Sequence, residues 1–234
     1  MFFSLILPEL RVIDFWGFEV YSWRITLWTG EIVSFLFVLW VSQYFSLKKK
    51  KIILIFFWQF VLMYFFSKIF FFLSHNFLHN DGANFKITEF WRAGRIYAGT
   101  LIGFFLATVT GVFLLKESRK FWIYLDLFLW GHLVLLFLYR IGNILNRSHI
   151  GKPTNMPWGV EYHGQIRHET STYEVLSLFL LFWVVTFLFK KIKNFPGVIS
   201  LFILAWMAFS RFITDFFRSD DLPVSNFHFQ NGLT

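Results

Sequence analysis

An ionised side chain in hydrocarbon is costly, so one that lies inside a long apolar run marks a pairing or a task. In this chain such residues are Glu31, Lys68, Asp126, His132, Arg140, Arg211 and Asp215, with Arg218 at a rim. Arginine is the type among them that implies a chemistry. A guanidinium fork matches a phosphate bidentately and stays charged at any relevant pH. Arg211 and Asp215 are spaced i, i+4, and Arg211 and Arg218 are spaced i, i+7, so both pairs share a helix face. Arg140 lies at the end of a different apolar run. Two readings fit: a site for a lipid phosphate headgroup in the outer leaflet, or internal salt bridges that lock the helices together. Lys68, near the outer end of its run, suits a snorkelling lysine, and His132 suits a hydrogen-bonded packing residue. There is no HExxH pattern and no cysteine. The sequence therefore offers no metal-ligand spacing, no disulfide and no cysteine nucleophile of its own.

The elements that position these groups follow from composition. Of 234 residues, 56% are hydrophobic and 24% aromatic, with 36 Phe, and only 15% are charged. An ordinary soluble domain has about 25% charged residues. This excludes a disordered chain, a collagen-like chain and a typical water-soluble enzyme. Six apolar runs, 25–45, 52–74, 96–115, 121–141, 173–189 and 198–217, are long enough or nearly so to cross a bilayer. The expected fold is all-α: a polytopic integral membrane helix bundle with an outer-facing loop region, one membrane domain over 1–234. Residues 1–24 are aromatic and mixed, and read as an arm lying in the membrane interface. The net charge of +8 reads as membrane orientation rather than nucleic-acid binding. Lys48–Lys51, then Lys116, Arg119 and Lys120, then Lys190, Lys191 and Lys193 fall between alternate pairs of runs. Those loops are expected to face the cytoplasm. The N-terminus, loop 75–95, head loop 142–172 and the C-terminal tail are expected to face outward. The fourth and sixth runs then both point outward. Arg211 is 13 residues past Val198, about 20 Å along a helix, which brings it to an outer depth like that of Arg140.

At this point the residues resemble a known family. Arg140-Ile141-Gly142-Asn143, followed by Gly151-Lys152-Pro153-Thr154-Asn155-Met156-Pro157-Trp158-Gly159-Val160, is similar to the signature of prolipoprotein diacylglyceryl transferases. Arg167-His168-Glu169-Thr170-Ser171-Thr172-Tyr173-Glu174 resembles the family's RHPxQLYE stretch, and Arg211-Phe212-Ile213-Thr214-Asp215-Phe216-Phe217-Arg218 its RFxxEFFR stretch. Trp91, Gly94, Gly99 and Leu101-Ile102-Gly103 follow its WxGGMSFHGGLIG block, and Asp126 stands 14 residues before Arg140 as in the family.

The resemblance implies transfer of diacylglyceryl from phosphatidylglycerol to the lipobox cysteine thiol in a prolipoprotein signal peptide. A thioether forms and glycerol phosphate leaves. It also implies a multi-pass protein of the bacterial inner membrane, with its active site toward the outer leaflet and no cofactor or metal. Arg140, Asn143, Gly142, Gly151 and Arg218 correspond to headgroup-binding positions, and Arg140 and Arg211 to catalytic ones. Asp126, Asp215, Tyr173 and Glu174 are expected as structural polar groups. The chain departs from the pattern at Ala98, where the family has the histidine of HGG, at Ser148, where it has an acidic residue, and at Met207, where it has a tyrosine. His149, His163 and His168 are the candidate replacement bases, with His168 placed in the catalytic set. The family has seven spans. Here six are expected, and Asn231-Gly232-Leu233-Thr234 resemble the lead-in to a seventh. A catalytically silent relative that binds anionic phospholipid or lipoprotein precursors is the alternative.

Overall fold

The computed structural model describes residues 12–15, 18–78, 96–192 and 194–219. Six α-helices account for most of them: α1 (Ser22–Val41), α2 (Lys49–Leu78), α3 (Tyr97–Leu114), α4 (Phe121–Leu145), α5 (Thr170–Ile192) and α6 (Val198–Asp215). All six are long and apolar enough to cross a membrane. Helices satisfy every backbone N–H and C=O within the segment, which is what a hydrocarbon solvent demands. The expected all-α polytopic bundle is thus found, and the short fifth run gains residues at both ends. Trp91, Gly94, Lys193, most of loop 75–95 and the tail from 220 lie outside the described residues.

The chain divides into two compact units, residues 42–125 and residues 1–41 with 126–234. In the first, α2 packs against α3 along Gly99, Gly103, Ala107 and Gly111, one small residue per turn. A Cβ on Gly103 would lie 2.5 Å from the Leu62 carbonyl oxygen, and one on Gly99 would collide with the carbonyl of Phe66. Two polar pairs cross the same seam: Gln59 Nε2 donates to Thr108 Oγ1 at 2.8 Å, and Trp58 Nε1 to Thr110 Oγ1 at 2.8 Å. One end of this unit is closed by Glu117, which binds Lys51 at 2.5 Å and Lys120 at 3.2 Å. The hydrogen bond from Lys51 leads in holding the Glu117 carboxyl below its ordinary pKa. Two of the basic clusters therefore meet at one end, as their alternation along the chain implies. Lys68 departs from expectation. It is buried, with its ammonium 5.6 Å from the centre of the Tyr64 ring, instead of reaching out to the interface.

In the second unit, α4 is the central helix, with Leu127, Leu129 and Leu133 fully buried on different faces. Helix α1 runs antiparallel to it, with Gly30 against Leu135 and Gly142 against Trp23 and Thr26. Ser34 Oγ donates to the Gly131 carbonyl at 2.8 Å. Trp130 fills the space between α1 and α5, in ring contact with Phe37 and Phe189. Within the expected interfacial arm, β1 (Val12–Phe15) pairs antiparallel with β2 (Phe18–Tyr21).

The head region is not a loop. Between α4 and α5 the chain forms a three-stranded antiparallel sheet of β3 (Ile150–Pro153), β4 (Val160–Tyr162) and β5 (Gln165–Glu169), in the order β3-β5-β4. The β4–β5 turn is His163-Gly164, both with positive φ (50° and 75°). That is the two-residue geometry whose twist matches paired strands. A bridge between Gly151 and Arg218 docks the residues just past α6 on β3, with Lys152 N–H donating to the Phe217 carbonyl at 3.0 Å.

Replacing Gly103 by Val forces the α2–α3 seam apart. We expect a loss of about 1–3 kcal/mol of stability, read from thermal unfolding in detergent. Ile102→Ala, on the more open face of the same turn, should leave the midpoint much closer to wild type.

Candidate functional site

Three helix ends converge in the second unit. Arg140 lies just over a turn before the end of α4, Glu174 in the first turns of α5, and Arg211 one turn before the end of α6. Glu174 pairs with both arginines: Oε2 lies 2.7 Å from Arg140 Nε as an ion pair, and Oε1 accepts a hydrogen bond from Arg211 Nη1 at 3.3 Å. Arg211 Nε also pairs with Asp215 at 3.0 Å, the i, i+4 contact expected from spacing, and Arg218 Nε approaches the same oxygen at 3.8 Å. Side-chain exposure rises across this chain, from 10% at Glu174 and 15% at Arg140 to 46% at Arg211 and 51% at Asp215. The cluster is therefore anchored inside and opens outward.

Three guanidinium groups face two carboxylates, which leaves one positive charge in excess. Among the described residues, the two terminal nitrogens of Arg140 and one of Arg211 make no hydrogen bond. Those are donors in the fork geometry that a phosphate accepts.

The residues after Arg140 are held from below. Asn143 is buried; its carbonyl accepts Ser148 N–H at 3.1 Å, and among the described residues its side-chain N–H₂ has no hydrogen-bond partner. The close approach that Gly142 permits is to Trp23 and Thr26 of α1, and the one at Gly151 is to the Phe217 carbonyl. Both glycines serve packing within the chain. Arg147 Nη1 to Glu169 Oε1, 2.9 Å, staples the end of α4 to the end of β5. Burial leads in raising the Glu169 carboxyl above its ordinary range, while Arg147 opposes that rise. Arg167 is buried and donates to the Gly151 carbonyl at 3.2 Å and to Ser219 Oγ at 3.4 Å, so it fixes the strand that leads into α5.

The three candidate bases separate. His163 is exposed at the tip of the β4–β5 turn. The carbonyl of His149 is engaged by Thr170, whose N–H and hydroxyl both donate to it. His168 lies against Tyr173 and Phe217, the sequence neighbours of Glu174 and Arg218. Its Nδ1 is 2.6 Å from the Tyr173 hydroxyl, which also accepts Trp158 Nε1–H at 2.9 Å. Burial holds the His168 imidazole below its ordinary pKa of 6.5, so it is neutral at pH 7. Sequence reasoning named Tyr173 and Glu174 as structural only. Trp158, in the Pro157-Trp158-Gly159 run, is the partner of Tyr173 that the sequence reading missed. Among the described residues, no three His, Asp or Glu side chains are placed to hold a metal ion.

Comparison with known proteins gives the same direction. The family model described as prolipoprotein diacylglyceryl transferase matches residues 11–233. A phosphatidylglycerol–prolipoprotein diacylglyceryl transferase of Campylobacter hominis is 32% identical over 142 residues, covering 60% of this chain and 50% of that protein. Proteins of the same name from Campylobacter lari and Campylobacter curvus are 32% and 33% identical, each over 56% of this chain and 48% of their own length. The chain spans about half the length of the curated relatives it matches.

Because Glu174 neutralises a largely buried arginine, Glu174→Gln should cost about 2–3 kcal/mol of stability, and Arg140→Leu a similar amount. The double variant should lose less than the sum, with a coupling of about 1–3 kcal/mol in a double-mutant cycle of unfolding in detergent. Additive losses would show that the pair carries no shared energy.

Proposed function

The chain belongs to the prolipoprotein diacylglyceryl transferase family, and on that premise we propose that it moves the diacylglyceryl group of phosphatidylglycerol onto the lipobox cysteine of a prolipoprotein. The observation that carries this reading is the meeting of Arg140 and Arg211 on Glu174, with unused guanidinium donors and a net positive charge. The leaving group is a phosphate monoester. Donors already in place for its developing charge lower the barrier without reorganising at the moment of reaction.

In this reading Arg140 and Arg211 clamp the phosphate, Arg218 adds charge at the rim, and the free amide N–H₂ of Asn143 is a further donor below. Gly142 and Gly151 act by keeping α1 and the end of α6 close. The nucleophile is the substrate's thiol, since the chain has none. His168 supplies the base. The Tyr173 oxygen accepts the Trp158 N–H and lies 2.6 Å from His168 Nδ1; in this reading Nδ1 carries no proton and the hydroxyl donates to it. The thiol proton passes to the Tyr173 oxygen as the Tyr173 proton passes to Nδ1. The thiolate then attacks the glyceryl carbon, its C–O bond to phosphate breaks, and glycerol phosphate departs. This route gives Ala98, which stands in place of the family's histidine, no part to play. The protein is a multi-pass membrane protein. We place it in the bacterial inner membrane with this cluster toward the outer leaflet, in keeping with the alternation of basic loops.

The test is thioether formation on a lipobox peptide incubated with phosphatidylglycerol and the purified chain. Arg140→Ala and Arg211→Ala should each lower turnover by about 10²–10³-fold. His168→Gln and Tyr173→Phe should each lower it by about 10²-fold or more. The depressed pKa of His168 keeps the base neutral as pH falls to 6.5. The acid limb of kcat/KM should therefore lie below pH 6.5 and vanish in His168→Gln. Absence of product from the wild-type chain, with phosphatidylglycerol still bound, would instead support a silent lipid-binding relative.

A further inference from the structure

Asp126 stands five residues into α4 and aims its carboxylate at the start of α6. Gly197 N–H donates to Oδ2 at 2.7 Å, Ser200 N–H to Oδ1 at 2.7 Å, and the Ser200 hydroxyl to Oδ1 at 2.5 Å. Helix α6 has need of such an acceptor. The first N–H groups of any helix lack intrahelical partners. The residue at its N-cap is Gly197, left-handed at φ 93°, with no side chain to supply one. A buried carboxylate from another helix does so, and its negative charge suits the positive end of the helix dipole.

The same two helices meet again at their other ends, through Glu174. Asp126 to Arg140 is fourteen residues, and Gly197 to Arg211 is also fourteen. Each interval spans about 21 Å at about 1.5 Å per residue. Helices α4 and α6 thus run parallel between two shared pins, with equal lengths of chain between them. A slip of α6 by one residue would carry Arg211 about 1.5 Å along the axis and turn it by about 100°. Its contact with Glu174 would not survive that.

We propose that Asp126 is a positioning residue: its cap on α6 sets the register that brings Arg211 level with Arg140, about 21 Å away. Its bearing on catalysis rests on the function proposed above, whereas the register itself does not. The chain has no cysteine. Nitroxide labels at Leu138→Cys on α4 and Phe209→Cys on α6 therefore report one distance by pulsed electron resonance. Asp126→Ala should shift or split that distance by about 1.5–5 Å, one residue to one turn. It should also lower kcat/KM for phosphatidylglycerol by roughly tenfold or more. Ser200→Ala, which removes one of the three donors, should shift both readouts in the same sense by less, and it decides the matter if Asp126→Ala does not fold. A folded variant with the wild-type distance overturns the inference, whatever its activity. A shifted distance in a chain whose wild type transfers nothing would uphold the register and overturn the proposed function alone.

Discussion

Glu174 is one carboxylate shared by two guanidinium groups that arrive on two other helices. Each of its oxygens takes one arginine, so α4, α5 and α6 must end at a common depth. A buried carboxylate without partners is strongly unfavourable, and so is a buried guanidinium. The three groups therefore constrain one another more tightly than apolar packing along the same helices can. The exposed faces of α5 and α6, with Leu176, Phe179, Phe187, Phe209 and Phe212, offer bulk but no register. What fixes the geometry is the small set of polar contacts: Glu174 at one end, Asp126 at the other, and the Arg147–Glu169 pair at the turn into the sheet.

Much of this was legible in the sequence, and the reason is the scarcity of charge. In a chain with 15% charged residues, each intramembrane charge stands out against hydrocarbon, so Arg140, Arg211 and Asp126 fall in a short list of candidates. Their spacing on one helix was also readable, and the Arg211–Asp215 contact follows it. Partners on different helices were not readable. Nothing in the spacing of Glu174 says that it faces two arginines instead of one, or that Asp126 caps a helix seventy residues on. The same limit hid the burial of Lys68, because snorkelling is the default for an isolated lysine near a span end, and tertiary packing overrode it.

The head region shows a different kind of miss. Residues 142–172 are rich in Gly, Pro, His and Asn, a composition that suits a loop. The strands within it are three to five residues long, too short for a periodic pattern to emerge from turn residues. The available signal was His163-Gly164 between Val160–Tyr162 and Gln165–Glu169, two positive-φ residues joining two short extended segments. The sheet has a clear physical role. Through Gly151, Lys152 and Arg167 it grips the end of α6. Through Trp158 it holds the Tyr173 oxygen, which lies 2.6 Å from His168 Nδ1. The segment just past α6 and the Tyr173–His168 pair thus both rest on this sheet and its loop.

The central claim is that Arg140 and Arg211 together take the phosphate of the lipid. It is tested most directly by determining the structure of the chain with phosphatidylglycerol bound. The account predicts phosphate oxygens within about 3 Å of terminal nitrogens of both Arg140 and Arg211, with Glu174 still in contact with each. A phosphate bound away from both arginines, with the Glu174 pairs unchanged, would contradict it and leave the cluster a purely structural lock.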